Sequence, residues 1–177
     1  MEYYRRYYVE GLDDPGIYRE FLALLLAYSD AFSLIYFKYR EGEKTKRTTK
    51  EIKNSLSPFK ISAKNVSQWG GTITLNQMDH VYRMVTYRID RSRIFDIVDV
   101  FESVGALYDW DYPKYPMDPC FYKDGYAWFE VCSHELMNTL YLKDEVGFPS
   151  ASDIESIGVR LFPDGKVDET KLFHHTY

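Results

Sequence analysis

The run Ser133-His134-Glu135 is the best candidate in this chain for acid–base chemistry. A histidine beside carboxylates can serve as a general base or as a metal ligand. Asp118 lies near the start of the partner strand of a hairpin, roughly opposite Cys132, where it can approach His134 across the hairpin mouth. Together His134, Glu135 and Asp118 suggest a small hydrolase-like centre. The plainer reading gives each residue a structural task. Ser133 caps a helix running to Tyr141, Glu135 answers the positive end of its dipole, and His134 bonds to a backbone carbonyl.

Other chemistries find less support. None of His80, His134, His174 and His175 has a second His or Cys at a familiar ligand spacing within one element, and Cys132-Ser-His134 is not a standard zinc spacing, so no metal is expected. There is no Gly-x-Ser-x-Gly elbow, and Cys120 and Cys132 read as packing residues of the hairpin. Trp69-Gly-Gly-Thr72 is too short for a phosphate-cradling loop and lacks the following Lys-Ser/Thr. No cofactor is expected.

Two stretches could meet a partner. Tyr108, Trp110, Tyr112 and Tyr115 stand in an aromatic, acidic, proline-broken loop, and Tyr and Trp favour interfaces. The alternative is a loop pinned over the core by Trp110. The segment from Lys38 to Lys64 holds nine basic residues against three acidic, a net +6, while the remainder holds 13 against 24, a net −11. It could face an acidic partner or form a solvated helix face. With net charge −5, general nucleic-acid binding is not expected.

The elements that must position these residues follow from pattern. Asp14-Pro15 starts a helix whose Phe21, Leu24, Leu25 and Tyr28 share one face. Phe32 to Tyr39 and Tyr82 to Ile89 read as strands. Thr45 to Leu56 reads as a helix, and Asp90 caps another with Ile94, Phe95, Val98 and Phe101 at helical spacing, ended by Gly105. Tyr3 to Val9 is a strand or an arm. Lys60 to Asn76 is a wide hairpin or a long loop around Trp69. Asp118 to Cys132 is a β-hairpin about Asp124-Gly125.

The turn decides where the thiols point. A two-residue turn sets Cys120 opposite Phe129, with Cys132 on the other sheet face. A three-residue loop sets Cys120 opposite Trp128, with the thiols offset by about 13 Å. A disulfide needs Cα atoms within about 7 Å, so both thiols are expected free, as in a reducing compartment.

The fold class is therefore α+β: a single mixed or largely antiparallel sheet of four to five strands with helices packed on it. The 177 residues form one globular domain, residues 144–177 being a peripheral C-terminal extension with a short helix at Asp153 to Ile157. The longest apolar run, Phe21 to Ala27, is far short of the roughly 20 residues of a membrane span, and a cytoplasmic location without membrane association is expected.

Several stretches resemble a group of short, largely uncharacterised proteins of Bacillus-like bacteria. They are Tyr7-Tyr-Val-Glu-Gly-Leu12, Leu56-Ser-Pro-Phe59, Gln68-Trp-Gly-Gly-Thr72, Tyr82 to Arg88, and Tyr115-Pro-Met-Asp-Pro through Trp128-Phe to Ser133-His-Glu135. Such proteins sometimes carry the label stage III sporulation protein AH. The resemblance implies a bacterial origin, a compact cytoplasmic domain and, by the label alone, an association with sporulation. The functional expectation from the residues themselves is a non-catalytic protein–protein interaction module of immunity or stress type, with the hydrolase-like centre as the alternative.

Overall fold

The computed structural model describes residues 3–37, 47–73 and 82–177. Eight strands form one antiparallel sheet: in chain order β1 (Tyr3–Glu10), β2 (Ala31–Phe37), β3 (Lys60–Val66), β6 (Tyr82–Arg88), β7 (Met117–Lys123), β8 (Tyr126–Cys132), β9 (Met137–Leu142) and β10 (Arg160–Asp168). Across the sheet they lie in the order β10-β1-β9-β8-β7-β2-β6-β3. A separate two-stranded ribbon joins β4 (Gln68–Trp69) to β5 (Thr72–Ile73). The helices are α1 (Pro15–Tyr28), α2 (Arg47–Ser55), α3 (Ile94–Glu102) and α4 (Ala151–Ser156). The α+β class stands, but the expected four to five strands are eight.

The missing strands have identifiable causes. β9, Met137-Asn-Thr-Leu-Tyr-Leu142, was expected to continue a helix from Ser133. Instead Ser133–Glu135 make one 3-10 turn, and Leu136 takes a left-handed conformation (φ 54) that reverses the chain into β9. Leu140 and Leu142 then face the core beside Phe129, a period of two that the apparent helix start masked. β10 contains Pro163 and Gly165, which argue against a central strand; as an edge strand it tolerates both, with a register shift beside Arg5 and Tyr7. Residues 144–177 are consequently not peripheral. Ile154, Val159 and Leu172 are buried, and β10 borders β1 along its length.

One face of the sheet carries the main core. Phe32, Leu34, Val85, Tyr87, Phe121, Phe129, Val131 and Leu140 pack there against Phe21, Leu22, Leu25 and Leu26 of α1 and Ile97, Val98 and Phe101 of α3. The start of α1 follows the sequence: Asp14 Oδ1 accepts from the amides of Gly16 (2.8 Å) and Ile17 (3.1 Å), with Pro15 in the first turn. At its other end Arg91 donates to the carbonyls of Leu26 and Ser29, groups that an α-helix leaves without internal partners.

The second face is different in kind. One residue from each strand falls into a single transverse row: Ser62, Thr86, Ser33, Cys120, Glu130, Thr139, Tyr8 and Phe162. Much of this row is polar, and its middle is buried. The cover over that middle is the β4–β5 ribbon and the C-terminal tail. The Phe173 carbonyl accepts from the Ala127 amide (2.9 Å), and the His175 amide donates to the Gly125 carbonyl (2.8 Å). No helix among the described residues is long and apolar enough to cross a membrane.

Candidate functional site

The β7–β8 hairpin turns through Asp124 and Gly125, both at positive φ (50 and 82), as a two-residue turn demands. A bulge at Trp128 then shifts the register by one, so Cys120 lies opposite Glu130 rather than opposite Phe129 or Trp128. Cys120 and Cys132 therefore share the second face, and both are free. Trp128 spends its extra position on the core side, where its indole donates to Ser29 Oγ at 2.8 Å.

Asp118 does not serve His134. It sits at a positive φ (48), is 2% exposed, and uses both carboxylate oxygens as a clasp. Oδ1 accepts from the Ser133 amide and Oδ2 from the Trp69 indole, both at 2.8 Å. This ties the β4–β5 ribbon and the β8–β9 loop to one buried group. Burial pushes its pKa up, and those two donors pull it back. His134 and Glu135 stand on the loop itself with side chains more than half exposed, imidazole Nε2 to carboxylate 3.8 Å. The helix cap assigned to Ser133 and the dipole role of Glu135 are not realised, because the chain makes a single turn before β9.

The Cys132 thiol, the His134 imidazole and the Glu135 carboxylate place ligand atoms within 4.8 Å of one another. Measured to Nε2, the ring nitrogen that faces Glu135, sulfur and carboxylate each stand 3.8 Å away, wider than the edges of about 3.6 and 3.4 Å that a tetrahedral zinc shell sets. With no fourth protein donor among the described residues, the group has the donor types of a zinc site without its closed geometry.

The four aromatic residues of the Tyr108 to Tyr115 loop do not form one surface. Trp110 is fully buried, its ring 4.6 Å from Phe101, so it belongs to the core and not to a contact face. The Tyr108 hydroxyl donates to Asp13. Tyr112 lies 4.8 Å from the Phe37 ring, and Lys114 covers Tyr115. The Lys114 carbonyl accepts from Thr48 and Thr49, so the loop anchors α2. Of the basic segment, residues 38–46 lie outside the described residues.

The feature that sequence reasoning missed is on the second face. A cleft of about 510 Å³ opens between the β4–β5 ribbon and the tail, lined by Gln68, Trp69, Gly71, Thr72, Glu130 and Tyr141 on one side and by Thr170 to His174 on the other. Glu130 is 6% exposed, and its Oε2 accepts from the Tyr141 hydroxyl at 3.2 Å. Burial pushes the Glu130 carboxyl up to about 7, against the opposing hydrogen bonds from Tyr141 and the Gly71 amide. Burial and the adjacent Glu130 carboxylate in turn raise the Tyr141 phenol. Gly70 lets the ribbon sit this close: a Cβ there would stand 2.6 Å from Cys120 Sγ and 3.0 Å from Glu130 Oε1.

The tail wall of the cleft is held by His175, which is 1% exposed. Its Nδ1 meets Lys64 Nζ at 2.9 Å and its Nε2 meets Thr86 Oγ1 at 2.8 Å. An ammonium only donates, so Nδ1 accepts and the ring proton resides on Nε2. Burial, and then the Lys64 charge, lower the imidazole pKa to about 4. Nothing in sequence spacing links residues 64, 86, 120, 130 and 175; strand pairing and the docked tail do. No protein-family profile, no curated protein and no solved structure matches this chain.

Proposed function

We propose that this protein is a non-catalytic module that binds a protein partner through the uncovered part of its second sheet face. One observation carries the reading. Tyr8 and Phe162, paired across β1 and β10, stand at 37% and 44% exposure, in register with Thr139 and, through it, with Glu130 at the cleft. Aromatic rings beside a cleft with a polar floor form the kind of surface that protein interfaces use. Tyr8 is held in place through Asp164, which also forms a 2.5 Å ion pair with Arg6. The hydrolase-like alternative draws less support, since Asp118 is occupied as a clasp and the cleft is not lined by His134 or Glu135.

The test is site-specific photo-cross-linking. A photoreactive residue at position 162 or 170 should capture one and the same protein, and Tyr8→Glu should abolish both captures. A residue at position 95, exposed on α3 at 64%, should not capture it. Equal capture from position 95, or capture indifferent to Tyr8→Glu, would rule the surface out.

A further inference from the structure

A carboxylate taken out of water is stable only when a cation or several donors replace its hydration. Glu130 has a hydroxyl from Tyr141 and an amide from Gly71, which leaves part of its acceptor capacity unused. Among the described residues it has no ion-pair partner. The nearby cations are committed elsewhere or lie at the rim. Arg6 pairs with Asp164, and Lys171 is exposed on the tail side of the cleft. The other titratable groups in the carboxyl's surroundings include Cys120 and Tyr122 on the neighbouring strand and His174 on the cleft wall.

The surroundings suit a long amphipathic cation. Half-buried Phe173 and Thr72 line the cleft with Glu130, while Trp69, which also borders it, is 3% exposed and bonded to Asp118. An aromatic wall beside an acceptor floor takes an aliphatic stem along the wall and a charged head at the floor. The closeness of Gly70 to Cys120 and Glu130 seals the inner end, so a ligand head stops at the carboxylate.

We infer that the Glu130 cleft receives a lysine or arginine side chain of the protein partner, its charged head on Glu130 and Tyr141 and its stem along Phe173. This rests on the binding-module reading and specifies the chemistry of that site. Burial raises this carboxyl to about 7, so near pH 7 it is about half protonated; the arriving cation completes its ionisation and the proton is released.

The experiment uses the full chain and two peptides, acetyl-Gly-Lys-Gly-amide and the same peptide with norleucine replacing lysine. Binding is read from amide shifts in NMR at pH 8. The lysine peptide should bind, and the norleucine peptide should bind at least about tenfold more weakly, the scale of a hydrogen bond to a charged group. Glu130→Gln should weaken the lysine peptide by a similar factor. Tryptophan fluorescence checks that this variant is folded, and the same removal of charge favours its folding. Lys53→Ala, on the exposed side of α2 and outside the cleft, should leave the lysine peptide bound. Equal binding of the two peptides, undiminished binding to Glu130→Gln, or loss of binding in Lys53→Ala overturns the inference. If cross-linked capture from positions 162 and 170 persists in Glu130→Gln at full strength, the module reading survives and the cation reading falls. If capture fails while the lysine peptide binds, the reverse holds.

Discussion

Glu130→Gln should stabilise this protein at alkaline pH, against the usual effect of changing a buried residue. The wild-type carboxyl has a folded pKa of about 7, against 4.5 for the exposed group. A raised carboxyl pKa means that the folded state holds its proton more tightly than the unfolded state. The stability this confers is complete below pH 4.5 and is lost as pH rises through 7. The difference of roughly 2.5 units corresponds to about 3 kcal/mol of burial cost carried by the ionised wild type at pH 8. Glutamine keeps an acceptor for Tyr141 and carries no charge, so it escapes that cost. Urea denaturation at pH 8 and pH 5, followed by fluorescence of the buried Trp69, Trp110 and Trp128, measures the difference. The variant should exceed wild type by up to about 3 kcal/mol at pH 8 and by much less at pH 5. A variant no more stable at pH 8, or a difference independent of pH, would show that Glu130 is already compensated.

Two further outcomes follow from the same geometry. His175 should titrate with a midpoint near 4 in imidazole NMR, because burial, and then the Lys64 charge, disfavour its protonated form. Its folded pKa is depressed, so the stability it supplies is full above about 6.5 and falls away as pH drops toward 4, by at most about 3 kcal/mol; a midpoint near 6.5 would mean the tail is not docked. Trp110→Ala should cost about 3–5 kcal/mol in urea denaturation, as a core truncation does, and a change within about 0.5 kcal/mol would return Trp110 to the surface.

Local signals were readable along the chain where they were unopposed. Asp14-Pro15 marks the start of α1, Asp124-Gly125 marks the hairpin, and Tyr82 to Ile89 reads as the strand that β6 is. Reading failed where two local signals competed. Ser133-His-Glu resembles a helix cap, and only the left-handed Leu136 shows that it ends at once. Pro163 and Gly165 argue against a strand, yet an edge position makes them acceptable. The bulge at Trp128 lay beyond any pattern, and it alone decides that Glu130 faces Cys120. The candidate cleft was less legible still. Its floor comes from β8 and β9, one wall from a ribbon at Trp69 and the other from the last residues of the chain. Glu130, set among Trp128, Phe129 and Val131, is in sequence one polar position in an aromatic strand. Its importance arises from the cross-strand row, which no window of sequence contains.

The most direct measurement is amide chemical-shift mapping with acetyl-Gly-Lys-Gly-amide at pH 8. Perturbations should concentrate on Gly70, Gly71, Glu130, Tyr141 and Thr170 to His174, the residues around the cleft. Perturbations centred on Ser133 to Leu136, or none up to millimolar peptide, would contradict the assignment of the second face as the working surface.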